Sequence, residues 1–161
     1  MKKIIFNIML LFMIIISFKT AVHASNDDTQ YNRKIIIDGN VFYVETVITE
    51  SALDSPNSVN GTVQTKTATK TEYYRDADMN PICSISVTGT FIYDGTMSQC
   101  NSCSHQALTY LSNWSVKNSS SNYFGTSAIA NATFTETMLF GISHDYNMSV
   151  TISCSSSGVI S

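Results

Sequence analysis

Two stretches of strict two-residue alternation constrain this chain more than anything else in it. From Ile82 to Tyr93, Cys83, Ile85, Val87, Phe91 and Tyr93 are apolar, whereas Ser84, Ser86, Thr88 and Thr90 are polar. From His144 to Cys154, Tyr146, Met148, Val150, Ile152 and Cys154 alternate with Asp145, Asn147, Ser149, Thr151 and Ser153. Successive side chains of a strand point to opposite faces, so this period predicts strands with one buried and one wet face. Leu108, Tyr110, Trp114 and Val116 share a face by the same rule, and 108–116 reads as a third strand. No stretch beyond residue 24 keeps a 3.6-residue period, which excludes helices from the expected fold.

Further strands follow from weaker patterns. Residues 126–140 put Ala128, Ala130, Ala132, Phe134, Met138 and Phe140 on one side, with Glu136 as a polar exception. Residues 62–74 alternate threonines with Gln64, Lys66, Lys70 and Glu72, so neither face is strongly apolar. That pattern predicts an edge strand whose lysines discourage pairing with another molecule. Lys34–Ile37 and Val41–Thr49 flank Asp38-Gly39-Asn40, a hairpin signal. Asp76–Pro81, Asp94-Gly95, Ser119–Asn122 and Gly141–Ser143 read as turns, and 50–61 as a polar loop. About seven short strands at this spacing predict an all-β fold, an antiparallel sandwich of immunoglobulin-like or similar kind, with a small barrel as the alternative.

The start of the chain sets the compartment. Met1-Lys2-Lys3 precedes an apolar run from Ile4 to Phe18, and Val22-His23-Ala24 supplies small residues at the −3 and −1 positions of a cleavage site. This is the form of a secretory leader cut after Ala24, too short to span the roughly 20 residues a membrane helix needs. The expected organisation is a leader at 1–24, a hairpin and polar loop at 25–61, and a sandwich body at 62–161. The location is extracellular, with no stable membrane insertion.

Export gives the cysteines their meaning. Cys83, Cys100, Cys103 and Cys154 all follow the leader, and an even count in an oxidising compartment predicts two bridges. Four thiols allow three pairings, and the sequence by itself selects none. Cys100-Asn101-Ser102-Cys103-Ser104-His105, with His144, could be drawn as a zinc set, but no second close pair of ligands is present. A thioredoxin-type motif needs a helix start that this chain lacks, so structural disulfides are the expectation, with no metal and no cofactor.

Other chemistry is sparse. The chain has 9 basic against 12 acidic residues, and Lys2, Lys3 and Lys19 belong to the leader. An acidic exported chain with scattered cations has no footprint for nucleic acid. Only His105 and His144 follow the leader, no G-x-S-x-G elbow occurs, and most carboxylates sit at turns or on wet faces. Glu136 alone shares parity with an apolar face. The sequons at Asn60, Asn113, Asn118, Asn131 and Asn147 are expected by chance in a chain so rich in Asn, Ser and Thr.

Residues 66–71 (Lys-Thr-Ala-Thr-Lys-Thr), 84–95 with the block V-T-G-T-F-x-Y-[DN]-G, and Cys100, Trp114 and Cys154 resemble a group of small secreted proteins of Gram-positive bacteria. The resemblance covers roughly residues 62–161 and brings neither an activity nor a site. In that group a Trp is expected where Cys83 stands and a small polar residue where Cys103 stands. The resemblance thus implies that these two form an extra pair, giving Cys83–Cys103 and Cys100–Cys154. Trp114, Phe91, Ile85, Val87, Val150 and Ile152 are the expected core, with Trp114 near a bridge. The expected function is that of a non-catalytic extracellular domain binding an unidentified protein or glycan. A secreted bacteriocin-like or membrane-active factor and an extracellular hydrolase are the alternatives.

Overall fold

The computed structural model describes residues 29–53 and 63–161. The expected leader, its cut after Ala24 and most of the 50–61 loop lie outside the described residues. Within them the chain forms eight strands: β1 Thr29–Ile37, β2 Asn40–Leu53, β3 Gln64–Arg75, β4 Pro81–Tyr93, β5 Ser98–Thr109, β6 Trp114–Phe124, β7 Ser127–Thr137 and β8 Ser143–Ser153. One short 3-10 turn, Leu139–Gly141, interrupts them. β1–β5 form one antiparallel sheet and β6–β8 a second, each strand beside its neighbour in sequence. Two meanders packed together carry no Greek-key crossover, so the immunoglobulin-like version of the sandwich does not apply.

The core is what the alternation marks. Ile85, Val87 and Phe91 from β4 meet Ala128, Ala130 and Phe134 from β7 and Val150 and Ile152 from β8, all buried. Trp114 is buried as well, its ring packed against those of Phe42 and Tyr146. Each fully buried large side chain contributes roughly 1.5–3 kcal/mol, and the sheets are held together by this burial.

All four cysteines are free thiols, so the expected disulfide clamp is not present. For one pair the register gives the reason. Cys83 lies opposite Thr109 and Cys103 opposite Gly89, six residues along the same strand pair. That is about 20 Å at the rise of a strand, and a bridge needs Cα atoms within about 7 Å. Cys83 instead contacts Met148 Sδ at 3.7 Å.

Other expectations are corrected by the sheets. β3 is no edge: it lies between β2 and β4, because the first hairpin continues the same sheet. The 108–116 strand is two strands, with the turn at 110–113 carrying the chain to the other sheet. Ser119–Asn122 is not a turn but the middle of β6. Its polar residues on both faces hide a strand at the margin of the second sheet. The Asp38-Gly39 hairpin forms as expected, with both residues at positive φ, 50° and 82°, the condition of a type I′ turn.

β5 carries the least visible device. Opposite β4 the register slips between Thr90 and Phe91, leaving Asn101 as an extra residue. Such a bulge reverses the side-chain parity beyond it. Cys100 and Cys103 therefore both face inward although they are three residues apart, followed inward by His105, Ala107 and Thr109.

Candidate functional site

In a meander every second connection falls at the same end. The turns at 38–39, 76–80, 110–113 and 138–142 accordingly share one end of the sandwich, and contacts tie them together. Thr137 N donates to Asn113 O at 2.8 Å, and Asn40 Nδ2 donates to the Tyr146 hydroxyl at 3.0 Å. The His144 imidazole meets the Tyr146 ring edge-on, centroids 4.6 Å apart, with Nε2 3.5 Å from Asp38 Oδ2. That nitrogen is buried and makes no hydrogen bond among the described residues.

Between the turns lies a recess of about 290 Å³ with Phe42, Trp114 and Tyr146 among its lining residues and Asp76 and Glu136 as its carboxylates. Tyr146 donates to Glu136 Oε2 at 3.0 Å. Burial, and then this bond to a carboxylate, push the Tyr146 hydroxyl up to about 12, because its phenolate would sit beside a like charge. Glu136, the polar exception of its strand, is thus a half-buried acceptor on the inner side.

The rim of this end is apolar where solvent should favour polar groups. The β7–β8 connection presents Met138 at 44% exposure, Leu139 at 81%, Phe140 at 99% and Ile142 at 63%. Ile36, Val41, Met79 and Leu111 add exposed apolar side chains at the same end. The tip is internally bonded: Met138 N donates to Ile142 O at 2.7 Å and Gly141 N to Met138 O at 3.3 Å. Phe140 adopts φ 67° and ψ 17°, a left-handed conformation unusual for a side chain of its size. The sequence pattern placed Met138 and Phe140 in the core. Both are outside, because β7 ends at Thr137 and the alternation ends with it.

The groups weighed for catalysis or metal do not converge. Inward-facing His105 exchanges hydrogen bonds with Ser121 Oγ at 3.0 Å and Ser119 Oγ at 3.1 Å, tying β5 to β6. Ser119 is opposite Ala132 on β7, four residues or about 13 Å from Glu136. His144 is opposite Glu136, so the two share one end without His105. Cys100 N bonds Gly125 O at 2.8 Å and Cys154 N bonds Thr126 O at 3.0 Å, at the far end of β7. Cys100, Cys103 and His105 are therefore not joined by His144, and no three His, Cys, Asp or Glu side chains gather as a metal site among the described residues. Burial raises the Cys100 and Cys154 thiols, and Cys83 is pushed up to about 12. Thiols shifted this way are poor nucleophiles.

Compared with family models, curated proteins and solved structures, the chain matches none of them.

Proposed function

We propose that this is an exported, non-catalytic β-domain that binds a partner at the cell surface or in the medium through its β7–β8 tip. The observation that carries the reading is Phe140, fully exposed at a left-handed backbone position. Folding gains nothing from a phenylalanine there: the ring buries no area and the conformation costs roughly 1 kcal/mol. A contiguous exposed apolar group of this kind marks a docking surface. The recess behind it is a poor stacking platform for a glycan, because the Trp114 face is taken by Tyr146. A protein partner with an apolar pocket is the better match.

The membrane-active alternative fits less well. The turns behind the tip carry Asp38, Asp76 and Asp78, which anionic lipid would repel, and a five-residue tip cannot reach across a hydrocarbon core of about 30 Å.

In the oxidising environment this reading implies, Cys100 and Cys154 are the pair to bridge. Their backbone amides bond the consecutive carbonyls of Gly125 and Thr126, which brings the two residues to the same end of the sandwich.

The test compares the exported protein with a Leu139→Ser/Phe140→Ser double variant. Both should melt at the same temperature, while the variant loses retention on washed producer cells. Equal retention would overturn the reading. Non-reducing mass spectrometry of the same samples reads the leader cut and the Cys100–Cys154 bond.

A further inference from the structure

The recess between the turns holds negative charge that the fold does not cancel. Asp76 and Glu136 are its charged residues, and no cation lines it among the described residues. Asp76 closes its own turn: Oδ1 accepts from the amides of Asp78 at 2.9 Å and Asn80 at 2.8 Å, and Oδ2 from Asn80 Nδ2 at 3.2 Å. Glu136 Oε2 accepts from Tyr146, while Oε1 has no hydrogen bond or ion pair among the described residues. These donors are neutral, so they orient the carboxylates and leave both charges standing.

The cations of the neighbouring strands are engaged elsewhere. Arg75 pairs with Glu45, and Lys117 with Asp145. Lys34 is on the outer face of β1, since Ile35 and Ile37 on either side of it pack on the core. His144 is opposite Glu136 but has Nε2 towards Asp38. Asp38 and Asp78 add exposed carboxylates to the same end. A carboxylate half withdrawn from water without a counter-ion loses hydration and gains no Coulomb energy in return. An arriving cation restores the balance.

We propose that this recess receives a lysine side chain of the partner, an inference that rests on the docking of that partner at the β7–β8 tip. The ammonium pairs with Glu136 Oε1 in the added field of Asp76, and the alkyl stem lies along Val41, Leu111 and the ring edges of Phe42 and Trp114. An arginine fork takes both oxygens of one carboxylate. Here Tyr146 holds one oxygen of Glu136, and the 76–80 turn holds both of Asp76. A compact ammonium needs a single oxygen. At about 290 Å³ the recess takes one side chain, just under the size of a small-molecule pocket. The partner surface is therefore an apolar pocket with a lysine beside it, and the acidic end of this domain steers it in.

The experiment titrates Nα-acetyl-lysine methylamide into the isotope-labelled exported protein and follows backbone amide resonances. Saturable shifts are expected at Asn40, Ala77, Asn113 and Glu136. The Nε-acetylated form of the same amide has the stem without the charge and should bind at least about fivefold more weakly; the lysine amide should lose as much on Glu136→Gln. Glutamine keeps an oxygen for the Tyr146 hydroxyl, so the variant removes the charge alone. On washed cells Glu136→Gln should be released at lower salt than the parent. No shifts around the recess, or an acetylated amide or a Glu136→Gln variant that binds like its reference, would overturn the proposal. Retention lost by the Leu139→Ser/Phe140→Ser variant but unchanged in Glu136→Gln sinks the lysine recess and leaves the tip. Lysine-amide binding beside full retention of the tip variant sinks the tip and leaves the recess. Should Glu136→Gln fail to fold, the two amides on the parent protein decide alone.

Discussion

The indole of Trp114 lies stacked on the ring of Tyr146, centroids 4.9 Å apart and planes 19° from parallel. Phe42 meets both edge-on, at 6.3 and 5.5 Å. This trio joins the first hairpin to the second sheet beneath the apolar end. Trp114→Ala should therefore cost about 3–5 kcal/mol, the range for removing a large buried aromatic, and Trp114→Phe clearly less. Urea denaturation followed by circular dichroism measures both. Trp114 is the sole tryptophan of the chain, so its fluorescence in the parent reports this junction. A loss below about 1 kcal/mol on Trp114→Ala would show that the trio does not hold the sheets together.

Gly89 explains the centre of the V-T-G-T-F block. A Cβ at this position would sit 2.5 Å from Cζ and 2.7 Å from Cε2 of Phe91, and 3.3 Å from Ala128 Cβ. The Phe91 ring is fully buried and covers the glycine, so it cannot swing into solvent. Gly89→Ala should destabilise by about 1–3 kcal/mol through overpacking. Adding Phe91→Leu, which withdraws the ring, should make the alanine less costly than it is in the parent. A double-mutant cycle in urea checks this coupling, and strict additivity would remove the steric explanation.

Thiol reactivity separates the cysteines. Cys83 is fully buried and burial pushes its thiol up to about 12, so in reduced native protein it should alkylate last, on the timescale of unfolding. Cys103, half-exposed on β5, should alkylate first. Timed iodoacetamide labelling read by mass spectrometry gives the order. Fast labelling of Cys83 would contradict the packing around it.

Much of this architecture was legible because burial on one face writes itself into alternate residues. Phe91 and Val87 on β4 and Val150 and Ile152 on β8 sit where their period puts them. β6 was not legible. From Val116 to Tyr123 it is exposed on nearly every residue, so neither face selects apolar side chains. β5 was hidden by its bulge at Asn101, which breaks the period in the middle of the strand. The charge content of β3 misled for a different reason. Lys66 and Glu72 are on an inner face that is partly open and find partners in Glu50 and Arg33, contacts that depend on β1 and β2 being there. The exposed apolar tip has no signature at all, because an apolar residue on a loop reads like one in a core.

Acid should loosen the β4–β5 turn. Asp94 Oδ1 accepts from Thr96 Oγ1 at 2.7 Å and from the amides of Thr96 and Met97 at 2.8 Å. The Thr96 hydroxyl, and then these amides, hold its carboxyl below the usual carboxylate range. A depressed folded value gives stability that is full above the unfolded value, about 3.9, and is lost as pH falls below it through the folded one. Asp94→Ala should therefore be less stable than the parent at pH 7, with the gap narrowing towards pH 2. Urea midpoints at both pH values measure it, and a gap independent of pH would assign the loss to something other than the ionised carboxylate.

The last expectation sets stability against docking at one residue. Phe140 holds φ 67° with its ring wholly exposed. Asparagine tolerates that conformation far better than phenylalanine, since its short polar side chain hydrogen-bonds locally. Phe140→Asn should therefore stabilise the fold by about 0.5–1 kcal/mol while weakening retention on cells, because the proposed anchor is gone. Leu139→Ser, at a residue with no positive φ, should leave stability within about 0.5 kcal/mol yet weaken retention too. Opposite signs for stability and binding at Phe140, beside binding loss alone at Leu139, are what a residue kept for a partner produces. If Phe140→Asn were destabilising, the phenylalanine would belong to the fold, and the strongest support for docking through this tip would be lost.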